Sequence, residues 1–276
     1  MKHFLDLANW SSDAVHRLID SAIALKDEWR SGGNAPILRG KTLAMIFQKP
    51  SLRTRVSFEI AMQHLGGTGI MLGPDEIGLG KRESIADVVR VLAGYTQAIM
   101  ARVYDHAHVV EMARWSHVPI INGLSDAHHP CQALADLLTM REHFGDLRGL
   151  RIAYVGDGNN VATSLGQAAA HFGARFVLAS PPGYSLQEES LEQIAVIAER
   201  SGGSLELYQD PIAAVREADV IYTDTWVSMG QESETAARLQ ALAGYQVNST
   251  LLGHAPAHTI VMHCLPAYRG KEIAAE

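Results

Sequence analysis

Residues 49–55, Lys49-Pro50-Ser51-Leu52-Arg53-Thr54-Arg55, bring two guanidinium groups, an ammonium and two hydroxyls into one short stretch. It lies between an apolar run, Leu43 to Phe47, and an amphipathic segment, Val56 to Leu65, whose stripe is Phe58, Ala61, Met62 and Leu65. That pattern reads as a strand, a tight polar loop and a helix ended by Gly66-Gly67. Arg53 to Arg55 then stand at the N-terminal end of the helix, where unpaired N–H groups and the helix dipole favour an anion. A guanidinium fork suits a phosphate dianion. The plainer reading of the two arginines is a pair of solvated surface charges.

Other polar residues fall where strands of an α/β sheet end, the edge at which such sheets collect ligands. Arg102 stands near the end of a strand spanning 98–103. In His128-His129-Pro130-Cys131-Gln132, Pro130 suits the first turn of a helix. His129 and Gln132 bracket that turn and between them can both donate to and accept from a planar carbonyl-amide group; an ordinary capped helix start explains them as well. Asp224-Thr225-Trp226-Val227-Ser228-Met229-Gly230 follows a strand at 219–223, and its carboxylate, hydroxyl and Met backbone can hold a zwitterionic amino acid. The last strand, 259–262, delivers His263-Cys264-Leu265-Pro266. A thiol there is either a pocket group or a buried, inert cysteine. Gly156-Asp157-Gly158-Asn159-Asn160 is a βα turn that lacks the full G-x-G-x-x-G spacing, so it points to a polar ligand rather than a dinucleotide.

The elements that must position these residues alternate. Ser11 or Ser12 caps a helix with the stripe Val15, Leu18, Ile19 and Ala22. A short strand over 69–72 leads to the basic loop Gly78-Leu79-Gly80-Lys81-Arg82-Glu83, and Ser84 with Asp87 opens the next helix in a capping-box-like start. A helix over 106–115, a strand over 118–121 and a helix over 130–143 complete the first half. Strands at 151–155, 175–179 and near 205–208 alternate with helices at 188–201 and from Pro211 in the second. The chain therefore reads as an α/β protein of two domains, 1–145 and 146–276, each a mostly parallel sheet flanked by helices, with a linker at Asp146 to Gly149. Its 276 residues exceed the roughly 100–150 that one domain usually holds.

With 47% hydrophobic and 19% charged residues the chain is a folded protein, and its formal charge of −7 argues against nucleic acid or an acidic membrane as partner. No apolar run nears the ~20 residues of a membrane span, and Met1 to Asp6 lack the apolar core of a secretory signal. A cytoplasmic location is expected. The two cysteines, Cys131 and Cys264, are expected as free thiols. His106 and His108 are two apart on their helix and face different sides, which argues against a metal site.

Taken together, Ser51-Leu52-Arg53-Thr54-Arg55, His129-Pro130-Cys131-Gln132, the loop Asp224 to Gly230 and His263-Cys264-Leu265-Pro266 resemble the ornithine carbamoyltransferases. Order and spacing match from Lys2 to the end of the chain. The aspartate carbamoyltransferases share the first two motifs but lack the Ser-Met-Gly loop and the Cys-Leu-Pro turn. The resemblance implies a two-domain enzyme with its active site in the cleft between the domains, usually a homotrimer or a multiple of trimers, needing neither cofactor nor metal. It implies transfer of the carbamoyl group of carbamoyl phosphate to the side-chain amine of L-ornithine, giving L-citrulline and phosphate in either metabolic direction.

By match of position, Ser51, the Leu52 backbone, Arg53, Thr54 and Arg102 hold the phosphate. His129, Pro130, Cys131 and Gln132, with the backbone around Cys264 and Leu265, hold the carbamoyl group, and a cis bond precedes Pro266. Asn160, Asp224, Ser228 and Met229 hold ornithine. Arg53, His129, Cys264 and Asp224 carry the chemistry, Cys264 either orienting the attacking amine or, as thiolate, taking its proton, which the leaving phosphate can equally accept. The family often places Thr at Leu52 and Gln or His at Gly78, the latter reaching a neighbouring subunit's phosphate, a task left here to Lys81 or Arg82. Family members also continue past Glu276 with a helix bearing a further phosphate-contacting Arg, so the phosphate cradle is expected to be incomplete in this sequence. The competing readings are a carbamoyltransferase for putrescine or an acylated ornithine, and a non-catalytic ligand-binding subunit.

Overall fold

A computed structural model describes residues 2–80, 82–228 and 230–276. The chain divides into two compact units, Met1–Leu7 with Arg17–Cys131, and Ala8–His16 with Gln132–Glu276. In the first half the elements are α1 (Ser12–Arg30), β1 (Thr42–Phe47), α2 (Leu52–His64), β2 (Thr68–Leu72), α3 (Pro74–Ile77), α4 (Ile85–Tyr95), β3 (Ala98–Arg102), α5 (His106–Trp115) and β4 (Ile120–Leu124). They continue as α6 (Pro130–Phe144), β5 (Arg151–Val155), α7 (Asn160–His171), β6 (Arg175–Ala179), α8 (Glu188–Ser201), β7 (Ser204–Tyr208), α9 (Pro211–Val215) and β8 (Val220–Thr223). The last are α10 (Thr235–Leu242), α11 (Ser249–Leu252) and β9 (Ile260–His263).

Unit 1 is built on a four-stranded sheet in the order β2-β1-β3-β4, and unit 2 on a five-stranded sheet in the order β7-β6-β5-β8-β9. Every strand pair is parallel. The apolar run at the start of the first sheet is continuous rather than alternating because helices cover both of its faces. In β1, Leu43, Met45 and Phe47 enter one core cluster with Met62 and Met100. Ala44 and Ile46 enter another with Val88, Val89 and Met112.

Two elements differ from the sequence reading by more than one residue. Helix α2 begins at Leu52, not Val56, because Ser51 is its N-cap and its side chain accepts from the Thr54 N–H. The arginines therefore sit in the first helical turn, at the N-terminal end of the helix where the sequence reading places them. Strand β4 is displaced to Ile120–Leu124. There the polar Asn122 is accommodated by donating to Leu5 O at 2.9 Å, while its own backbone N–H bonds Phe4 O. The four-residue α3 was not foreseen.

The glycine-rich turn after β5 has a packing role. An added Cβ at Gly158 would lie 2.5 Å from Leu186 N and 2.5 Å from the Ser185 carbonyl carbon, and the Gly158 N–H donates to Tyr184 O at 2.7 Å. Both obstacles are backbone, which cannot swing aside. Gly158→Ala is expected to destabilise the protein by about 1–3 kcal/mol, read from chemical denaturation; an unchanged midpoint would show that the 184–186 segment yields freely.

Candidate functional site

In unit 1 the polar groups gather where β1 runs into α2. Helix α2 has no acidic residue in its first turn. Ser51 Oγ accepts from Thr54 N at 3.2 Å, while the N–H groups of Leu52 and Arg53 have no acceptor within the helix. Thr54 is buried, and its hydroxyl accepts from Arg102 Nη1 at 3.1 Å. That bond brings a guanidinium from the C-terminal end of β3 to the start of α2. Lys49 is buried as well, with its Nζ 4.1 Å from the centre of the Tyr104 ring.

The arginines of α2 separate. Arg53 is exposed and makes no hydrogen bond or ion pair among the described residues. Arg55 is paired with Glu59 at 3.0 Å one turn along the helix, which turns it away from Arg53. The Leu52 side chain is exposed, leaving its backbone N–H as the group it can offer a ligand.

The segment before α6 is pinned by Ser125. Its hydroxyl bonds His106 Nδ1 at 2.9 Å, the His128 N–H at 3.2 Å and Asn122 Nδ2 at 3.2 Å. His129, next along the chain, is held neutral: burial, and then the charge of Arg102, push its imidazole down to about 3. Burial likewise pushes His128 down to about 4. A neutral His129 can donate a single N–H to a carbonyl oxygen and brings no cation. Cys131, counted from sequence among the carbamoyl contacts, donates its thiol to Asn122 O at 3.4 Å, and burial raises that thiol to about 12. Any ligand contact at Cys131 is therefore left to its backbone. Gln132 Nε2 donates to Asp136 Oδ1 at 2.9 Å.

In unit 2 the centre is Asp224, buried just beyond β8. Its Oδ2 accepts from Asn159 Nδ2 at 2.8 Å and its Oδ1 from the Cys264 thiol at 3.1 Å. Asn159 is the N-cap of α7: its Oδ1 accepts from the N–H groups of Val161 and Ala162, and from the Tyr154 hydroxyl at 3.1 Å. The sequence reading named Asn160 and missed Asn159, although an Asn immediately before a helix was the available signal. Burial first, then Asp224, pushes the Cys264 thiol far above its ordinary range. It is a hydrogen-bond donor here rather than a thiolate.

The loop after Asp224 is braced by a second unforeseen pair. Arg238 Nη1 lies 2.9 Å from Asp157 and its Nε 2.9 Å from Glu234, and Nη1 also donates to Trp226 O at 3.4 Å. Burial lifts Asp157 to about 6 against the opposing effect of Arg238. The Ser228 N–H donates to Gln231 Oε1 at 3.1 Å. Met229 and Lys81 lie outside the described residues.

At the end of β9, Leu265 takes φ 60, and the Leu265–Pro266 bond is cis. Positive φ is uncommon for leucine and is held here by its N–H bond to His263 Nδ1 at 2.9 Å, while His263 Nε2 faces the buried Glu272 at 3.2 Å. The donor atoms of Asp224, His263 and Cys264 lie within 4.8 Å of one another. Both His263 nitrogens and the thiol proton are engaged in hydrogen bonds, so Asp224 is the member of the trio with lone pairs to offer a ligand. Gly78 adopts φ 57 at the end of α3, and a Cβ there would meet Arg82 Cβ at 2.7 Å. Arg82 Nη1 donates to Glu76 O within its own loop at 3.4 Å.

One family model, aspartate/ornithine carbamoyltransferase, carbamoyl-P binding domain, matches residues 2–142. A second, aspartate/ornithine carbamoyltransferase, Asp/Orn binding domain, matches residues 148–276. The chain belongs to the aspartate/ornithine carbamoyltransferase family. Within that family it is 49% identical over 272 residues to the ornithine carbamoyltransferase of Pyrococcus abyssi, covering 99% of this chain and 86% of that one. The solved ornithine carbamoyltransferase from Pyrococcus furiosus superposes with a TM-score of 0.96 at 48% identity, over 99% of this chain and 88% of that one. The anabolic ornithine carbamoyltransferase from Campylobacter jejuni gives 0.94 at 37% identity, over 100% and 89%. Among the described residues no helix is long and apolar enough to cross a membrane.

The buried histidines give this site a pH signature. Below pH 6.5 the unfolded chain protonates His128 and His129 while the folded chain does not, so their contribution to stability is lost as pH falls from 6.5 toward 4. An NMR titration of the imidazole rings is expected to find His129 neutral at pH 5; protonation near 6.5 would contradict the buried placement.

Proposed function

We infer that this chain transfers the carbamoyl group of carbamoyl phosphate to the side-chain amine of L-ornithine, releasing L-citrulline and phosphate. Beside the family membership, the observation that carries the acceptor is Asp224. A buried carboxylate whose two oxygens are each engaged once among the described residues retains lone pairs for an ammonium or amine. It attracts ornithine and repels the side-chain carboxylate of aspartate.

In this reading residues 1–145 hold carbamoyl phosphate and residues 146–276 hold ornithine. Ser51, the Leu52 and Arg53 N–H groups, Thr54 and Arg102 bind the phosphate. Arg53 and the N–H of neutral His129 polarise the carbamoyl oxygen, and the guanidinium groups stabilise charge developing on the departing phosphate. Asp224, with Asn160, Ser228 and Met229, orients ornithine. The neutral amine attacks the carbamoyl carbon, the C–N bond forms as the C–O bond to phosphate breaks, and the amine proton passes to the leaving phosphate. Cys264 orients the amine with Asp224, because a thiol that stays protonated and donates to Asp224 offers no thiolate to take the amine proton. The homotrimeric assembly and cytoplasmic location that the resemblance implies belong to the same reading.

Carbamoyl phosphate offered in parallel with ornithine, putrescine, acetylornithine and aspartate tests the acceptor: citrulline is expected as the clearly preferred product, and equal use of any other acceptor overturns the assignment. Within the reaction, Arg53→Ala is expected to lower kcat by about 100-fold or more, the usual cost of one preorganised donor. Cys264→Ser, which keeps a donor for Asp224, should retain measurable turnover. Equal losses in the two variants would show that the thiol does more than orient.

A further inference from the structure

Asp136 is a buried carboxylate that the mechanism above leaves unused and that, unlike Asp157, has no arginine beside it among the described residues. It lies one helical turn after Gln132 in α6 and is 5% exposed. Its Oδ1 accepts from Gln132 Nε2 at 2.9 Å and its Oδ2 from the Tyr222 hydroxyl at 2.9 Å, Tyr222 being two residues before Asp224. The structure gives it no ion pair with a cation among the described residues. Burial lifts it to about 7, with the charge of Asp224 acting in the same direction and the two hydrogen bonds against it. A buried carboxylate without a cation costs stability. Its presence calls for a role other than holding the fold together.

Hydrogen-bond inventory supplies one. Above pH 7, where Asp136 is ionised, its carboxylate only accepts and so requires Gln132 to turn its NH2 toward it and its Oε1 away. The carbamoyl group has a C=O that accepts and an NH2 that donates. Arg53 and neutral His129 are both donors and serve the C=O; the NH2 needs an acceptor. The terminal amide torsion of glutamine is broad and nearly two-fold, so an unfixed Gln132 presents its NH2 about as readily as its oxygen. We propose that Asp136 is a positioning residue that locks the Gln132 amide with its oxygen available to the carbamoyl NH2, so that the site distinguishes a carbamoyl from an acetyl group on the same phosphate. Asp136→Asn removes the lock: the Tyr222 hydroxyl donates best to the new amide oxygen, which leaves the new NH2 facing Gln132 and favours the flipped amide.

This inference rests on the carbamoyl-transfer reading, and the test separates the two. Wild type, Asp136→Asn, Gln132→Ala and the double variant are compared at pH 8, where Asp136 is ionised, with ornithine as acceptor. The KM for carbamoyl phosphate is measured together with inhibition constants for acetyl phosphate and inorganic phosphate. Asp136→Asn is expected to raise the carbamoyl phosphate KM by about 10–100-fold, the factor for one hydrogen bond lost in a buried site. Inhibition by acetyl phosphate and by inorganic phosphate should change less than about twofold, and the denaturation midpoint at pH 8 should not fall. Gln132→Ala should show the same selective loss, and the double variant no more than Gln132→Ala alone. Additive losses, or a uniform weakening toward all three phosphates, would overturn the role of Asp136. Wild type without carbamoyl transfer would instead overturn the functional reading. Should the Asn variant not fold, Asp136→Ala, which also releases the amide, is read in the same way.

Discussion

The first N–H groups of an α-helix have no carbonyl within the helix to accept them, and α2 begins with no carboxylate to compensate. Ser51 satisfies one of these donors through Thr54 N, and the nearby side chains add positive charge: exposed Arg53, and Arg102 brought across from β3 by its bond to Thr54. The result is a concentration of donors that asks for an anion with several acceptor oxygens. The parallel sheet of unit 1 follows from this need, since β1 and β3 are neighbours and end on the same side. Burying both faces of that sheet holds the strand ends in fixed register, and with them the distance from Arg102 to α2.

Unit 2 is organised around the opposite charge. Asp224 is buried but engaged by an amide N–H and a thiol, both neutral donors. A neutral clamp leaves the carboxylate's charge available to a cationic acceptor, whereas an arginine in the place of Asn159 would have cancelled it. The ion pair of Asp157 with Arg238 braces the following loop instead. Cationic donors in one unit and a buried anion in the other are the charges that the proposed carbamoyl transfer to an amino acid with a basic side chain calls for.

Much of this architecture was readable in the order of residues. The bounds of α5, β5, β6 and α8 follow from helical and strand periodicity with Gly and Ser punctuation, and the cap at Ser84 with Asp87 stands as its spacing required. Local signals failed where a distant partner decides the outcome. The strand read over 118–121 extends through the polar Asn122-Gly123 in β4 because Leu5 and Phe4 satisfy Asn122. Asn159 matters for its bond to Asp224, and Asp136 for its bond to Tyr222; neither pairing is legible before the second sheet brings the partners together. Arg55 was grouped with Arg53 by adjacency, while the helix turns it toward Glu59.

The central claim is that the start of α2 receives the phosphate of carbamoyl phosphate. Titration of the isotopically labelled protein with carbamoyl phosphate, followed through its backbone amide resonances, tests it directly. The amides of Leu52, Arg53 and Thr54 are predicted to shift saturably and together, with the Arg102 side-chain resonance following the same curve. Saturable shifts confined to other parts of the chain, with the start of α2 unmoved, would contradict it.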